Sequence, residues 1–236
     1  ISSRPQSQPT INPRDIPAGF TEKDLSPHFR KVRFGSVHAG SLNSYSLVSL
    51  RANFSGGAKI GVTGWLIRGN RESQIVPGAV EVYDPSGASG ESNIYLSTGN
   101  LVNIYSTVSA VGRNLRLNKC MGYIENTNKF TPPLRARCPS VTTPANFSSF
   151  SGACQDYVRS LGFCRLPAAN PPVPQYDHTC RAYLDTLNYR GCFDQYRSDS
   201  DFLDREWVVW TGSKFLDERH DRVLLFDAQG LVVDEY

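Results

Sequence analysis

The segment spanning residues 221–234, DRVLLFDAQGLVVD, constrains the fold of this chain more than any other. Two short apolar runs rich in strand-forming residues, 223–226 and 231–233, flank a turn at 227–230 in which Gly230 accepts a positive φ. The pattern predicts a β-hairpin, and an isolated two-stranded hairpin is only marginally stable in water. The hairpin must therefore complete a sheet whose other strands lie much earlier in the sequence.

Earlier segments alternate apolar and polar residues, as is typical of β-strands with one buried face. Turn signals rich in Gly, Pro, Asn and Ser separate these segments at short intervals. The predicted strands are 31–37, 44–53, 60–68, 74–76, 79–83, 93–96, 101–105, 115–117 and 207–211. Many short strands with turns between them indicate a β-sandwich or a β-barrel.

Composition and charge exclude several classes of protein. The apolar fraction of 39% is sufficient for a core in a chain of 236 residues, which is long enough for one large β domain or two small ones. The net charge of +3 is spread along the chain without a Lys/Arg-rich run, so we expect no nucleic-acid partner. No apolar stretch approaches the roughly 18 residues of a membrane span, so we expect none.

The cysteines indicate an oxidising compartment. Their number is even and none forms a CxxC pair, so the pattern favours disulfides over a metal site. They are Cys120, Cys138, Cys154, Cys164, Cys180 and Cys192. We therefore predict an exported protein in an extracellular or cell-surface location, with six reduced, buried cysteines as the alternative. Two Asn-x-Ser sequons, at Asn53 and Asn146, are compatible with export but carry little weight.

Residues 1–28 are predicted to form an extended N-terminal tail. Their first part, 1–19, contains Pro, Ser, Gln and Arg with almost no large apolar side chains, and such a composition cannot bury a core. The alternatives are an unstructured tail, a tether, or a strand lent to a neighbouring molecule. One helical turn is predicted just before residue 26, with Thr21 as N-cap and Asp24 at the third position. Ile1, which is neither a Met nor part of a signal peptide, follows either a cleavage site or an artificial boundary.

Two motifs occur in an informative order along the chain. A Gly-Trp pair, Gly64-Trp65, lies in the segment VTGWLIR after an early alternating strand. The C-terminal pattern D-x-V-x-L-x-D-x-x-G-x-V-V-D comprises Asp221, Val223, Leu225, Asp227, Gly230, Val232, Val233 and Asp234. With the segments between them, these motifs resemble the lamin-tail domain in its bacterial secreted form, over residues 31–120 and 206–234. The resemblance implies an immunoglobulin-like β-sandwich in which Trp65 is a core residue.

The chain departs from this family through a long insertion. We predict three parts: the tail 1–28, a lamin-tail-like sandwich formed by 29–138 and 204–236, and a Cys-rich helical insertion at 139–203. The fold class is therefore mainly β, an immunoglobulin-like β-sandwich with a small disulfide-stapled α-helical insertion. A lamin-like role in the nucleus is not expected, because the cysteines indicate a different compartment.

Helical periodicity in the insertion predicts two helices, 151–161 and 179–187, joined by a proline-rich connector at 166–176. Because a helical pair this small cannot hold itself together by burial alone, disulfides are expected to staple it. In an antiparallel pair, the start of each helix lies near the end of the other. This arrangement, one of several that six cysteines allow, predicts the pairs Cys154–Cys192, Cys164–Cys180 and Cys120–Cys138.

No catalytic or cofactor-binding motif occurs in the sequence. The histidines are far apart, and a surface or hydrogen-bonding role is the default for each. An acidic segment at 199–206 contains Asp199, Asp201, Asp204 and Glu206 but lacks the glycine that a Ca²⁺ loop of the EF-hand type requires, so a solvated acidic loop is favoured. We therefore predict no cofactor, no metal site and no enzymatic activity, although residues distant in sequence can converge in a fold.

These features favour a non-catalytic exported surface or extracellular structural module. In this hypothesis the extended tail pairs with an open sheet edge at the last strand of a neighbouring copy and builds a filament or layer. The partners are then further copies of this chain or other surface proteins. Tyr236, at the end of that strand, is a candidate interaction residue.

The alternative is an adhesion or ligand-binding module that recognises a cell-surface or glycan partner. Its recognition face consists of the insertion and Trp210, in the segment WVVWT. Trp207 and Trp210 are predicted to lie on opposite faces of one strand, so one belongs to the core. The other is either an exposed recognition aromatic or a second core residue.

Overall fold

The computed structural model describes residues 11–41, 44–70, 72–135, 137–143, 147–217 and 222–236 of the chain. In these residues the protein is mainly β. The strands are β1 Val32–His38, β2 Leu47–Ala52, β3 Ile60–Gly61, β4 Leu66–Arg68, β5 Ser73–Ile75, β6 Tyr95–Leu96, β7 Leu101–Tyr105, β8 Leu115–Asn118, β9 Leu203–Trp210, β10 Leu224–Phe226 and β11 Val232–Glu235. The α-helices are α1 Gly152–Ser160, α2 His178–Asp185 and α3 Tyr189–Tyr196. None of the described helices has the length and apolar character needed to cross a membrane.

Two sheets pack face to face in a sandwich. The five-stranded sheet has the order β1-β2-β7-β9-β8, in which β7 and β9 run parallel and the other neighbours run antiparallel. The four-stranded antiparallel sheet has the order β11-β10-β4-β5, and β3 pairs with β6 in a separate ribbon. The prediction that the closing hairpin completes a sheet begun much earlier is confirmed, because β10 lies between its partner β11 and β4.

The main core lies between the two sheets. Leu50, Ile104 and Trp207 enter it from β2, β7 and β9 of the larger sheet, and Ile67 and Leu225 enter it from β4 and β10 of the smaller one. Each of these side chains is at most 2% exposed. Because successive side chains of a strand point to opposite faces, the apolar positions of the sequence alternate as they do.

The opposite face of the five-stranded sheet is covered as well. Val208 and Trp210 of β9 point away from the main core into a second apolar cluster, which includes Phe130 and Phe193. Phe193 belongs to α3, so the insertion supplies part of this cover. The uninterrupted apolar run at the end of β9 follows from burial on both faces.

The prediction of one continuous strand over 60–68 is wrong, because two short strands, β3 and β4, take its place. The chain turns at Gly64, which has a φ of +84°, a left-handed conformation that glycine adopts without a steric penalty. Val62 and Trp65 both enter the main core as a result, although a continuous strand would have placed them on opposite faces.

The strand predicted at 79–83 is also absent from the described structure. Ala79 and Val80 instead form isolated bridges, to Ser92 and Leu115. The Val80 bridge lies along the outer edge of β8, where Arg116 donates its backbone N–H to the carbonyl of Val80. This short contact covers part of a sheet edge that would otherwise present unpaired backbone groups.

The described residues of the insertion form three α-helices, and α1 and α2 confirm the two that were predicted. The third, α3, was missed because Gly191 reads as a helix terminator, whereas it lies inside α3. A Cβ atom at Gly191 would clash with the backbone of Thr186, so glycine permits the tight turn between α2 and α3. The Asn188 side chain accepts the N–H of Gly191 and caps the new helix. The domain boundaries stay a prediction.

All six cysteines form disulfides, but none of the predicted pairs is present. The structure pairs Cys120–Cys192, Cys138–Cys164 and Cys154–Cys180. The start of each helix does not lie near the end of the other, as the prediction required, because α1 and α2 begin side by side. Their N-cap side chains touch, with Ser151 Oγ donating to Asp177 Oδ2 at 2.6 Å. The proline-rich connector therefore returns the chain to the start of α1 before α2 begins.

The N-terminal segment is only partly the extended tail that was predicted. Residues 1–10 lie outside the described residues. The following residues make two 3-10 turns, Pro13–Asp15 and Glu22–Asp24, and the second confirms the predicted helical turn. Thr21 and Asp24 form its capping box, as expected.

The N-terminal segment occupies part of the edge of the last strand, where an open sheet edge was predicted. Leu25 forms a parallel bridge with Val232 of β11 and packs beside Phe226 in a separate apolar cluster. Ser26 and Arg30 donate their backbone N–H groups to the carbonyls of Val232 and Val233. The prediction overlooked apolar residues spaced along the segment, which give it enough surface to dock on its own hairpin. They are Ile11, Ile16, Phe20, Leu25 and Phe29.

Candidate functional site

A groove with a volume of about 550 Å³ lies where β1 and β2 of the larger sheet approach the end of β11. We call it the terminal groove, because the chain's last three residues form one of its walls. Its lining residues are Arg33, Phe34, Arg51, Ala52, Asn53, Gly99, Asn100, Leu101, Asp234, Glu235 and Tyr236. The volume is in the range of small-ligand sites.

Two arginines stand side by side on one wall of the terminal groove. Arg33 of β1 and Arg51 of β2 are directly opposite in the antiparallel register, so both side chains leave the same face of the sheet. The register shifts immediately afterwards, between Phe34 and Ser36, which makes Gly35 a β-bulge. The aliphatic part and Nε of Arg51 lie over Gly35, where a Cβ atom would be 2.6 Å from Nε. The bulge glycine therefore gives Arg51 its position.

The carboxylates of the terminal groove have partners of their own. Asp234 accepts the backbone N–H of Phe34 at 2.8 Å, and its Oδ1 lies 4.0 Å from Arg33 Nε. Burial raises the pKa of Asp234, while the Phe34 N–H and Arg33 oppose the increase. Glu235 accepts from Arg222 Nε at 2.5 Å. No described carboxylate lies within ion-pair distance of Arg51, which is therefore the uncompensated charge of the groove.

An aromatic pair forms the apolar part of the groove. The rings of Phe34 and Tyr236 meet edge to face, with their centroids 6.2 Å apart. Tyr236 remains 58% exposed, so part of its surface is available to a ligand. The structure thus places the predicted interaction residue Tyr236 in a groove. The arginines opposite it were not singled out from the sequence, although a Gly inside an alternating strand is a signal for a bulge.

Trp210, the other predicted interaction residue, is buried. Only 7% of it is exposed, and its ring stacks on Phe130 with the centroids 5.6 Å apart. The exposed-aromatic interpretation is therefore wrong and the core interpretation is correct. Trp210 is buried because the loop after β8 covers the outer face of β9, which a two-layer sandwich would leave open to solvent.

The insertion has a cleft of its own, with a volume of about 400 Å³. The proline-rich connector forms one side and α2 forms the other. Arg181 in its lining is committed to structure, since it donates to the backbone carbonyls of Val173 and Pro174. Two aromatic residues of the insertion are well exposed, Phe163 at 70% and Tyr176 at 82%. Neither of them lines this cleft.

The acidic segment at 199–206 is used for ion pairing. Asp199 and Asp201 both accept from Lys119 Nζ, at 2.9 and 2.5 Å. Glu206 turns away from them and accepts from Asn103 Nδ2 at 2.6 Å. No group of three or more potential metal ligands occurs in the described part of the chain.

Glu206 belongs to a half-buried polar cluster on the larger sheet, beside Asn103 and Tyr105. Burial raises the pKa of Glu206, and the Asn103 hydrogen bond and the charge of Arg135 partly oppose this. Burial and the nearby Glu206 charge raise the pKa of Tyr105 to about 12. Both residues therefore face a poorly solvated environment next to the apolar cover of the sheet.

No family model matches this chain, and neither a curated protein nor a solved structure matches it. The side chains of the terminal groove and the insertion cleft are therefore the basis for inferring what each site can bind.

Proposed function

We propose that this protein is an exported, non-catalytic binding module, an immunoglobulin-like β-sandwich of lamin-tail type that recognises a ligand through the terminal groove. The observation that carries the proposal is Arg51, a cation with no described carboxylate partner in a groove that also exposes Tyr236. Uncompensated charge beside accessible aromatic surface is typical of a recognition site.

The fold assignment is supported by the two motifs of the resemblance. Trp65 is 2% exposed in the main core, and the closing hairpin pairs with β4, which follows that tryptophan. Export is supported by the three disulfides, which persist in oxidising compartments. Comparing the mass of the alkylated protein with and without prior reduction tests the disulfides. A difference equal to six alkyl groups is expected.

The binding proposal is tested by a fragment screen followed by NMR of the ¹⁵N-labelled protein. Charged and neutral fragments are titrated, and shifted amides are mapped onto the structure. We expect shifts to cluster around Arg51, Asn100 and Tyr236. Clustering at the insertion cleft instead, or shifts scattered over the surface, would refute the terminal groove as the binding site.

Self-assembly is a second candidate function, favoured by the edge strand β5. This strand ends the four-stranded sheet, and no backbone group outside β4 bonds to it among the described residues. Ile75 on it is 58% exposed. An exposed apolar edge is a site for strand addition, although the strand is short and the Gln74 side chain already donates to the Ile75 carbonyl.

Light scattering and electron microscopy of the purified chain test this second candidate. If β5 mediates assembly, Ile75→Lys abolishes filaments or layers, while Val108→Lys, at a residue 74% exposed outside the strands, leaves them intact. A chain that stays monomeric at high concentration would refute assembly and leave the groove proposal standing.

A further inference from the structure

The charge balance of the terminal groove favours an anionic ligand. Asp234 lies 4.0 Å from Arg33, and Glu235 pairs with Arg222, so each of these two acidic side chains has its own arginine. Arg51 remains, and it faces Arg33 directly across the strand pair. Because like charges directly opposite each other destabilise a sheet, an anion bound to Arg51 relieves this repulsion.

The backbone of the terminal groove has little to offer a peptide strand. Several of its N–H groups are already committed: Phe34 donates to Asp234, and Ala52 and Gly99 donate to other backbone carbonyls of the groove. Tyr236 donates its N–H to Val223. The bulge at Gly35 also interrupts the regular edge that β-augmentation requires. Recognition must therefore come from side chains.

The available side chains suit a sugar that carries a carboxylate. The guanidinium of Arg51 matches a planar carboxylate in a bidentate geometry. The exposed ring of Tyr236 offers a flat apolar surface for the C–H face of a pyranose. The exposed Asn53 adds an amide group that can hydrogen-bond to ring hydroxyls, whereas Asn100 is buried and its Oδ1 accepts the Ser97 N–H. A groove that combines aromatic surface from Phe34 and Tyr236 with the charge of Arg51 fits such a ligand better than a purely hydrophobic one.

Resting on the proposed function, we infer that the terminal groove binds acidic sugar residues of a glycan, with the sugar carboxylate at Arg51 and the sugar ring against Tyr236. The inference specifies the ligand class of the groove.

Isothermal titration calorimetry with three trisaccharide probes tests the inference. They are trigalacturonate, its methyl ester, and the neutral galactose trimer. The protein is produced without N-linked glycans, because the sequon residue Asn53 lines the groove. We expect saturable binding of the acid, and binding at least about tenfold weaker for the ester and for the neutral trimer, since a hydrogen bond to a charged group is lost.

Substitutions test whether trigalacturonate binds in the terminal groove. Arg51→Ala is expected to weaken trigalacturonate binding by about tenfold to a hundredfold. Gly35→Ala is a matched test that keeps every charge, because its Cβ would lie 2.6 Å from Arg51 Nε and must displace the guanidinium. It should weaken binding as well. Arg113→Ala removes an equal charge from an exposed position outside the groove and serves as the control.

Three results would overturn the inference. One is equal affinity for acid and ester. Another is an equal loss in Arg51→Ala and the Arg113→Ala control. The third is tighter binding of a peptide with a free carboxylate than of any acidic sugar. In each case, clustering of fragment-induced NMR shifts in the groove would still support the proposed function, so the two failures are distinguishable.

Discussion

The sandwich and the insertion hold their structures by different means. The main core of the sandwich contains large side chains from both sheets, such as Ile67 and Leu225, and no cysteine. The separate core of the insertion is much smaller, and two of its buried members are Cys154 and Cys180, which bond to each other. From this comparison we expect apolar burial to be sufficient between the two sheets, and the short helices to depend on covalent links.

The contrast extends to where function can reside. A disulfide-stapled segment tolerates irregular backbone, and the insertion accordingly presents a cleft and exposed aromatics. The terminal groove, by comparison, is built on paired strands, whose register fixes Arg33 opposite Arg51. Rigid elements position binding groups more accurately than loops do. This difference is the reason we propose recognition by the sandwich and not by the insertion.

The largest effect is expected from Leu225→Ala in the main core. Leu225 is fully buried, so the variant removes apolar contacts and leaves a cavity, which costs about 2–5 kcal/mol of unfolding free energy. Urea denaturation followed by tryptophan fluorescence measures the loss. Leu166→Ala, at a partly exposed insertion residue, is the control and should change stability little. Equal losses in both variants would contradict the assignment of the main stabilising core to the sandwich.

Replacing Cys154 and Cys180 together by alanine should cost about 2–4 kcal/mol, confined to the insertion. The disulfide joins two residues that are 26 positions apart in the sequence. Its removal raises the conformational entropy of the unfolded insertion. Hydrogen exchange should show faster exchange in α1 and α2, with β10 still protected. Loss of protection in β10 would show that the sandwich and the insertion unfold as one cooperative unit, which would contradict their separate stabilisation.

Asp227→Ala is expected to destabilise the closing hairpin by about 1–3 kcal/mol. Asp227 Oδ1 accepts the backbone N–H groups of Gln229 and Leu231, at 2.9 Å each, and thereby holds the turn. The same measurements apply, with Asp156→Ala on the exposed face of α1 as the control. A cost no larger than that of the control would show that strand pairing alone fixes the hairpin.

The smallest effect concerns pH and the half-buried carboxyl of Glu206. Its pKa is raised above the ordinary value of 4.5, so the folded state holds the proton more tightly than the unfolded state. Stability therefore falls as pH rises from about 4.5 through the raised pKa, and it levels off above it. Glu206→Gln keeps the oxygen that accepts from Asn103 and should show a smaller decrease, since Asp234, whose pKa is also raised by burial, still contributes.

Glu72→Gln, at an exposed position, is the control for this pH profile and should follow the wild type. Thermal denaturation across the pH series measures all three proteins. A wild-type profile that Glu206→Gln reproduces would mean that the carboxyl is better solvated than its packing indicates.

Local pattern was sufficient to predict most of the strands. Successive side chains of β1, β2, β7 and the closing hairpin point to opposite faces of their sheets. This alternation is visible in the order of neighbouring apolar and polar residues. The prediction failed where one residue changed the path of the chain. Gly64 broke a strand, and Gly191 lay within a helix instead of ending one. Single-residue backbone effects of this kind depend on what packs nearby.

The site was less predictable than the fold. Tyr236 was singled out as an interaction residue, and it does lie in the terminal groove. Arg33 and Arg51 were not, since they are far apart in sequence and meet only through the register of β1 with β2. Trp210 was misassigned as a possible exposed residue, because the sequence does not reveal that the second face of its sheet is covered.

The sequence by itself determined the β class, the use of all six cysteines in disulfides, and the hairpin that completes the smaller sheet. These follow from composition and from the alternation and turn signals of neighbouring residues, since a hairpin of two strands must pair with a further strand to be stable. The tertiary structure alone decided which cysteines pair, what covers the edge of β11, and which charges meet in the terminal groove. The physical reason is that each of these is set by the closure of long loops, and many closures of similar entropy compete until packing selects one.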